Sequence, residues 1–161
     1  MVGDHKQLPA TVTSERAQEL GYQRSLFSRL ISIAGSHLLR LETQYRMVPA
    51  ISLWPSSYFY DGKLRDGAPV IQTGLNPLLL INVAGEMEQT ENHGVFNKTE
   101  EICTLAAVEA VQCINQRLSI GVITFYKKQK ENITRGLTGR LKDCDKVDTV
   151  DGFQGNETLR E

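Results

Sequence analysis

Apolar residues recur along this chain in two rhythms, short continuous runs and longer stretches at helical spacing. Leu78-Leu79-Leu80-Ile81-Asn82-Val83 is nearly unbroken, as expected of a strand covered on both faces. Residues 119–125 predict a second buried strand and residues 146–150 predict a third strand, while Leu38-Leu39-Arg40-Leu41 predicts a strand leading into Gln44. Between them, residues from about 98 to 115 predict a long helix. Ile102, Ala106, Ala110 and Cys113 fall on one side of it, and Glu109 interrupts that face. Residues 127–139 predict a second amphipathic helix. Nearer the amino terminus, Ser14 is placed to cap a short helix with Glu15 in its first turn, and residues 24–33 predict another. Pro49 opens a helix through Ile51, Leu53, Trp54, Tyr58 and Phe59 that ends near Asp61-Gly62. Residues 1–12 read as a strand end and loop, 61–76 as a loop, and 85–93 as a polar, flexible segment.

Strands alternating with helices of this length predict an α/β fold, a parallel sheet with helices on both faces. Such sheets bind ligands beyond the carboxyl ends of their strands. Tyr45-Arg46, the segment from Thr124 to Tyr126 and the segment from Asp151 to Gly155 all follow predicted strands. The residues with chemistry to offer therefore gather where this fold holds a ligand.

Composition narrows the classes. A chain of 161 residues, 40% hydrophobic and 23% charged, fits one globular domain with a real core. A formal charge of -1 argues against coating nucleic acid by bulk electrostatics, though it leaves open a single strand held by a few loops. Cys103, Cys113 and Cys144 form no Cys-x-x-Cys pair, so neither a disulfide framework nor a zinc site is indicated. Cys103 and Cys113 read as small core residues of the long helix. His5, His37 and His93 are scattered, and no metal site is expected. The amino terminus carries no apolar leader and no run has the length of a membrane span, so the chain reads as intracellular, cytoplasmic or nuclear, with no membrane partner. Acceptor-like triplets at Asn97, Asn132 and Asn156 read as chance matches.

Four segments change the picture. They are Gly3-Asp4-His5-Lys6-Gln7-Leu8-Pro9; Gln44-Tyr45-Arg46-Met47 followed by Pro49 and Asp61-Gly62; Gly121-Val122-Ile123-Thr124-Phe125-Tyr126 with Gln129; and Val150-Asp151-Gly152-Phe153-Gln154-Gly155-Asn156-Glu157. In this order they resemble motifs of the superfamily 1B helicases, the group of the nonsense-mediated-decay RNA helicase and senataxin, from Gly3 to Glu157. The resemblance implies a RecA-like, P-loop NTPase fold. Residues 1–12 would be the tail of a first motor domain carrying the coupling motif, and residues 13–161 a second motor domain that ends before its last motif.

The resemblance also implies roles. Arg46 would reach the γ-phosphate of ATP across the cleft, where a guanidinium stabilises the charge of phosphoryl transfer. Gln7 would sense the same phosphate and Asp4 would help fix its loop. Tyr45, beside Gln44, would stack on the adenine. Glu157, after the glycine loop ending at Gly155, would accept hydrogen bonds from the ribose or help arrange the phosphate site. Thr124, Tyr126, Thr149 and Val150 would touch the sugar and phosphate of single-stranded RNA or DNA, giving affinity without sequence readout. Each residue also has a plain structural reading: Arg46 capping a strand end, Tyr45 packed beside Trp54 or Tyr58, Asp151-Gly152 as an ordinary turn, and the threonines as strand-end packing. Val48 stands where the family commonly has histidine, Phe125 where proline is usual, and Ala10 in place of a second proline. None of these removes a charge or a stacking ring.

No Gly-x-x-x-x-Gly-Lys-Ser/Thr occurs in the chain, so it offers no backbone cradle and no lysine for the β- and γ-phosphates. The acidic pair that would hold magnesium is also missing. ATP and Mg2+ are therefore expected in a complete protein with an upstream motor domain, none bound by this chain alone, and the isolated chain is expected to be inactive. The other readings are a non-enzymatic interaction module derived from a helicase half and a stand-alone enzyme such as a kinase. Intact Tyr45-Arg46 and Glu157 weigh against the first, and the missing phosphate loop against the second.

Overall fold

A computed structural model describes residues 2–34, 39–67, 74–140 and 146–155. The chain divides into two compact units, Met1–Leu79 and Leu80–Glu161.

In the first unit, α1 (Glu15–Glu19) begins where expected, with Ser14 Oγ accepting the Ala17 N–H at 3.3 Å. The helix α2 spans Leu26–Ala34. Strand β1 (Thr43–Gln44) runs parallel to β2 (Arg65–Asp66), with Gln44 opposite Asp66. Between them lies α3 (Pro49–Phe59), started by proline at a position where its missing N–H costs no helical bond. The helix closes with Asp61 and Gly62 at φ 56 and 69, and the Gly62 N–H reaches the Ser56 carbonyl at 2.9 Å. The inward side of α3 differs from a reading based on its aromatic residues. Ser52 and Ser56 are the buried positions, and their hydroxyls bond the Asp66 carboxylate (2.6 Å) and the Leu64 carbonyl (3.2 Å). Trp54 and Tyr58 stack on each other at 5.2 Å and stay exposed.

The second unit opens with a hairpin of β3 (Glu88–Gln89) and β4 (Val95–Phe96), antiparallel. Asn97 then caps α4 (Lys98–Ile114) by accepting the N–H groups of Thr99 and Glu100. Strand β5 (Gly121–Thr124), helix α5 (Lys127–Gly136) and strand β6 (Lys146–Thr149) follow, and α6 (Val150–Phe153) closes the described chain. Strands β5 and β6 are parallel and in register from Gly121–Lys146 to Thr124–Thr149. They form, with α5 between them, a β-α-β crossover of the kind the helix and strand rhythm predicted. The core is Val108, Ile133 and Leu137, with Leu105, Ile120, Val122 and Val147 packed against it. Gln129, buried, grips both backbone groups of Asn97: its Oε1 accepts the Asn97 N–H at 2.7 Å and its Nε2 donates to the Asn97 carbonyl at 3.2 Å.

Several expectations need correction. Residues 78–83 form no strand, and Leu78, Leu79, Leu80 and Ile81 are exposed. A strand buried on both faces requires paired neighbours, and among the described residues none pairs with this run. Leu39-Arg40-Leu41 are likewise unpaired, with the strand starting only at Thr43; Leu38 lies outside the described residues. The long helix turns a different face inward: Glu101, Leu105 and Val108 are buried or half-buried, whereas Ile102, Ala106, Ala110 and Cys113 are exposed. Cys113 is therefore not a core residue, Cys103 is half-buried, and Cys144 lies outside the described residues. Glu109 projects outward to an ion pair with Arg140. The segment 85–93, expected to be flexible, carries β3, because the Thr90 N–H and hydroxyl and the Gly94 N–H close a turn that pairs it with β4. The segment 61–76 contains β2. No described helix is long and apolar enough to cross a membrane.

Candidate nucleotide and strand-end sites

The loop after β1 is organised by Gln44. Its Oε1 accepts the N–H groups of Arg46 (2.9 Å) and Met47 (2.7 Å), and its Nε2 donates to the Met47 carbonyl (2.7 Å) and to Asp66 Oδ1 (2.5 Å). All the amide's bonding capacity is spent on its own loop and on Asp66 of β2, so Gln44 acts here as the former that holds Tyr45 and Arg46 in place. Asp66, bonded first by Ser52 and then by Gln44, has its carboxyl held below the usual range. Tyr45 is 70% exposed, with its ring against Gly67 rather than beside Trp54 or Tyr58, whose partners are each other and Phe59.

Arg46 and Gln7 line the same cavity, a space of about 910 Å³ in the first unit. Asp4 stands at its wall as a hub. Its carboxylate accepts the Tyr60 hydroxyl at 2.7 Å, the Lys6 N–H at 2.9 Å and Gln7 Nε2 at 3.2 Å. Burial pushes the Asp4 carboxyl up, but these bonds outweigh burial and leave it below the ordinary value. The Tyr60 phenol, partly buried and donating to that carboxylate, is pushed up to about 12. Tyr60 thus stays a neutral donor at any physiological pH and ties the end of α3 to the loop that carries Gln7. Sequence reasoning missed Tyr60, Asp66 and Ser52, because nothing in their local spacing says what lies across the fold from them.

The second group sits at the carboxyl ends of β5 and β6, where Thr124 and Thr149 are directly opposite. Thr124 is buried, and its hydroxyl is used locally: it accepts the Tyr126 N–H at 3.1 Å and donates to the Tyr126 carbonyl. Tyr126 is about half exposed. Thr149 Oγ1 accepts the Gly152 N–H at 3.3 Å and caps α6, which starts at Val150. Gly155 follows with φ 76, a left-handed conformation suited to glycine. Glu157 lies outside the described residues. The structure thus brings Thr124, Tyr126, Thr149 and Val150 to one end of the strand pair, with Gly155 following α6, and, in the first unit, Arg46 and Gln7 to one cavity.

Asp148, which the motif pattern did not single out, holds the base of that strand end. Its carboxylate pairs with Lys130 Nζ at 2.6 Å and Lys146 Nζ at 3.3 Å and accepts the Thr149 N–H at 2.9 Å. Lys146 also donates to the Gly152 carbonyl and lies over the Phe153 ring. Gly152 has no room for a side chain, since a Cβ there would meet the Asp148 carboxylate. Lys130 first, and the Thr149 N–H next, hold the Asp148 carboxyl at about 2 against an ordinary 3.8. A folded value below the unfolded one adds stability above pH ~4 that is lost as pH falls through ~2. Acid unfolding followed by circular dichroism should therefore show a loss of stability between those limits that is smaller in Asp148→Asn. An identical acid transition in both proteins would remove Asp148 from this role.

Among the described residues, no group of three or more His, Cys, Asp or Glu is placed to hold a metal ion. The chemistry offered by the candidate residues is that of the Arg46 guanidinium, the Gln7 amide and the exposed Tyr45 ring: charge stabilisation, hydrogen bonding and stacking.

Comparison with known proteins identifies the family. A family described as an AAA domain matches residues 22–159. Human "Probable helicase senataxin" is 35% identical over 98% of this chain and 7% of its own length. "ATP-dependent helicase NAM7" of Saccharomyces cerevisiae is 33% identical over 98% of the chain and 18% of its own length. Rat "DNA-binding protein SMUBP-2" is 35% identical over 98% of the chain and 18% of its own length. The chain thus spans between 7% and 18% of the length of these relatives. With the mixed α/β, partly parallel architecture described above, the fold is RecA-like. The match across nearly the whole chain to these helicases, together with its own ordered motifs, places this protein in the superfamily 1B helicases.

Proposed function

We propose that this chain acts as the second motor domain of an ATP-dependent nucleic-acid helicase, completing an ATP site whose phosphate loop belongs to an upstream domain. The observation that carries this reading is that Arg46 and Gln7, 39 positions apart in sequence by their numbers, line one cavity. A cation and an amide lining one space suit a γ-phosphate, and the exposed ring of Tyr45, which does not line that space but precedes Arg46 in the chain, suits a base. Gln44 works as the positioning group of that loop. Magnesium, which needs one or two carboxylates beside the phosphates, would be held by the domain that brings the phosphate loop. Closure of the two domains on ATP would bring Arg46 to the phosphate, and hydrolysis would release it.

Single-stranded RNA or DNA is the proposed second ligand, held at the carboxyl ends of β5 and β6. Because the Thr124 hydroxyl is committed to Tyr126, contact there would come from the Tyr126 ring and from backbone groups near Thr149 and Val150. Such contacts favour binding without sequence preference, and the DNA-binding name of one relative is in keeping with it.

ATP turnover by the purified chain, alone and joined to an upstream motor domain bearing a phosphate loop, with and without single-stranded RNA, tests the reading. None is expected from the chain alone, and nucleic-acid-stimulated turnover from the joined protein. Turnover by the chain alone that matches the joined protein would mean a complete site forms within these residues and would sink the proposal.

A further inference from the structure

Tyr45 is an exposed ring, and an exposed tyrosine ordinarily samples several rotamers. Here its ring is seated. A Cβ built at Gly67 would fall inside the contact radius of ring atoms Cε1, Cδ1 and Cζ, so the ring occupies the space that any other residue at 67 would fill. Backbone torsion does not account for the glycine, because Gly67 is not among the glycines with positive φ. It is there for room.

The seat is tied to the strand that carries the ring. The Gly67 N–H donates to the Gln44 carbonyl at 2.8 Å. The preceding Asp66 is bonded to both Gln44 Nε2 and the buried Ser52 hydroxyl, so the loop is anchored to β1 and to α3. With Gly67 held on one side and Tyr45 on the other by a common partner, a side chain at 67 could be accommodated only by moving the ring. The rest of Tyr45 stays open, at 70% exposure.

We propose that Gly67 is a positioning residue of the nucleotide site: its missing side chain is the seat that fixes the Tyr45 ring for stacking on the purine of a nucleoside triphosphate. The inference rests on the reading that Tyr45 meets the base. A ring held in advance loses less freedom when the base arrives, so the seat acts on ATP affinity and leaves the chemical step alone.

The test uses the complete helicase carrying this chain, with RNA-stimulated ATP turnover measured for Gly67→Ala, Tyr45→Ala and the double variant. The expected result is a rise in KM for ATP on the order of 3- to 10-fold in Gly67→Ala, with kcat within about twofold. The double variant should be no worse than Tyr45→Ala, because both changes remove one stacking contact. A simple loss of fold would lower kcat and the melting midpoint together and would not show this split. If Tyr45→Ala raises KM while Gly67→Ala does not, or if the two effects multiply, the seat is wrong and the stacking reading stands. An unchanged KM in Tyr45→Ala removes the stacking reading and the seat with it. Independently of any variant's folding, nuclear magnetic resonance of the wild-type chain should show the Gly67 Hα resonances shifted upfield by the ring, and ordinary shifts there would overturn the proposal.

Discussion

Replacing Arg46 with alanine in the complete helicase should lower kcat for ATP by about 10³- to 10⁵-fold, the range in which a guanidinium on a transferring phosphoryl group acts. The loss belongs mainly to kcat, because the charge Arg46 would neutralise develops on the γ-phosphate in the transition state. Arg46→Lys should recover little of it. An ammonium carries the same charge, but it cannot present the planar fork that two phosphate oxygens accept at once. Position matters as much as charge: the Arg46 N–H is pinned by Gln44 Oε1, and the side chain lines the cavity shared with Gln7. Steady-state turnover with saturating single-stranded RNA reads the effect directly. A kcat within tenfold of wild type in Arg46→Ala would take Arg46 off the phosphate and leave it a strand-end arginine.

Leu137→Ala should cost about 2–5 kcal/mol of folding stability, the usual range for a fully buried leucine. Leu137 is wholly buried at the end of α5, where its N–H bonds the Ile133 carbonyl at 3.0 Å and its carbonyl accepts from Arg140. Only Val108 and Ile133 share its depth among the described apolar residues, so the side chain is a large part of a small core. Set against a typical total of about 5–15 kcal/mol, the loss would leave the second unit marginal. Urea unfolding of the chain gives the number. Cys113→Ser is the matched control, expected within about 0.5 kcal/mol because Cys113 is exposed. Equal effects from the two substitutions would mean that the core does not lie between α4, α5 and the β5–β6 pair.

How far the fold was legible varied with the kind of signal. Helix starts were legible because they depend on residues next to one another: Ser14 caps α1, Pro49 opens α3, and Asn97 caps α4 one residue before the expected start. Strand β5 was legible as an apolar run, although it turns only one face inward and leaves Ile123 exposed, and β6, Lys-Val-Asp-Thr, was legible from its place after α5 in the alternating order. Residues 78–83 read the same way, yet Leu78 to Ile81 are exposed, since apolar composition states what a segment could bury and not whether a partner is present to bury it. The face of α4 was misjudged by about one residue's rotation. Small alanines and a cysteine suggested a packed side, whereas Leu105 and Val108 meet α5 and Glu101 is buried near the cap.

The candidate site divides along the same line. Gln7, Gln44, Tyr45, Arg46, Thr124, Tyr126, Thr149, Val150 and Gly155 could be picked from the sequence because motif spacing is local and their chemistry is written in their side chains. Which of them hold the others depends on distance through space. That Gln44 spends its amide on the loop, that Tyr60 grips Asp4 across 56 positions, that Ser52 and Asp66 brace β1, and that Gly67 makes room for a ring are facts of contact. The sequence by itself determined the family and the starts of several helices, and it nominated the groups proposed to meet phosphate, base and sugar. Tertiary structure alone decided which polar groups are already satisfied and which face outward, because hydrogen bonds and burial join residues that the chain keeps far apart.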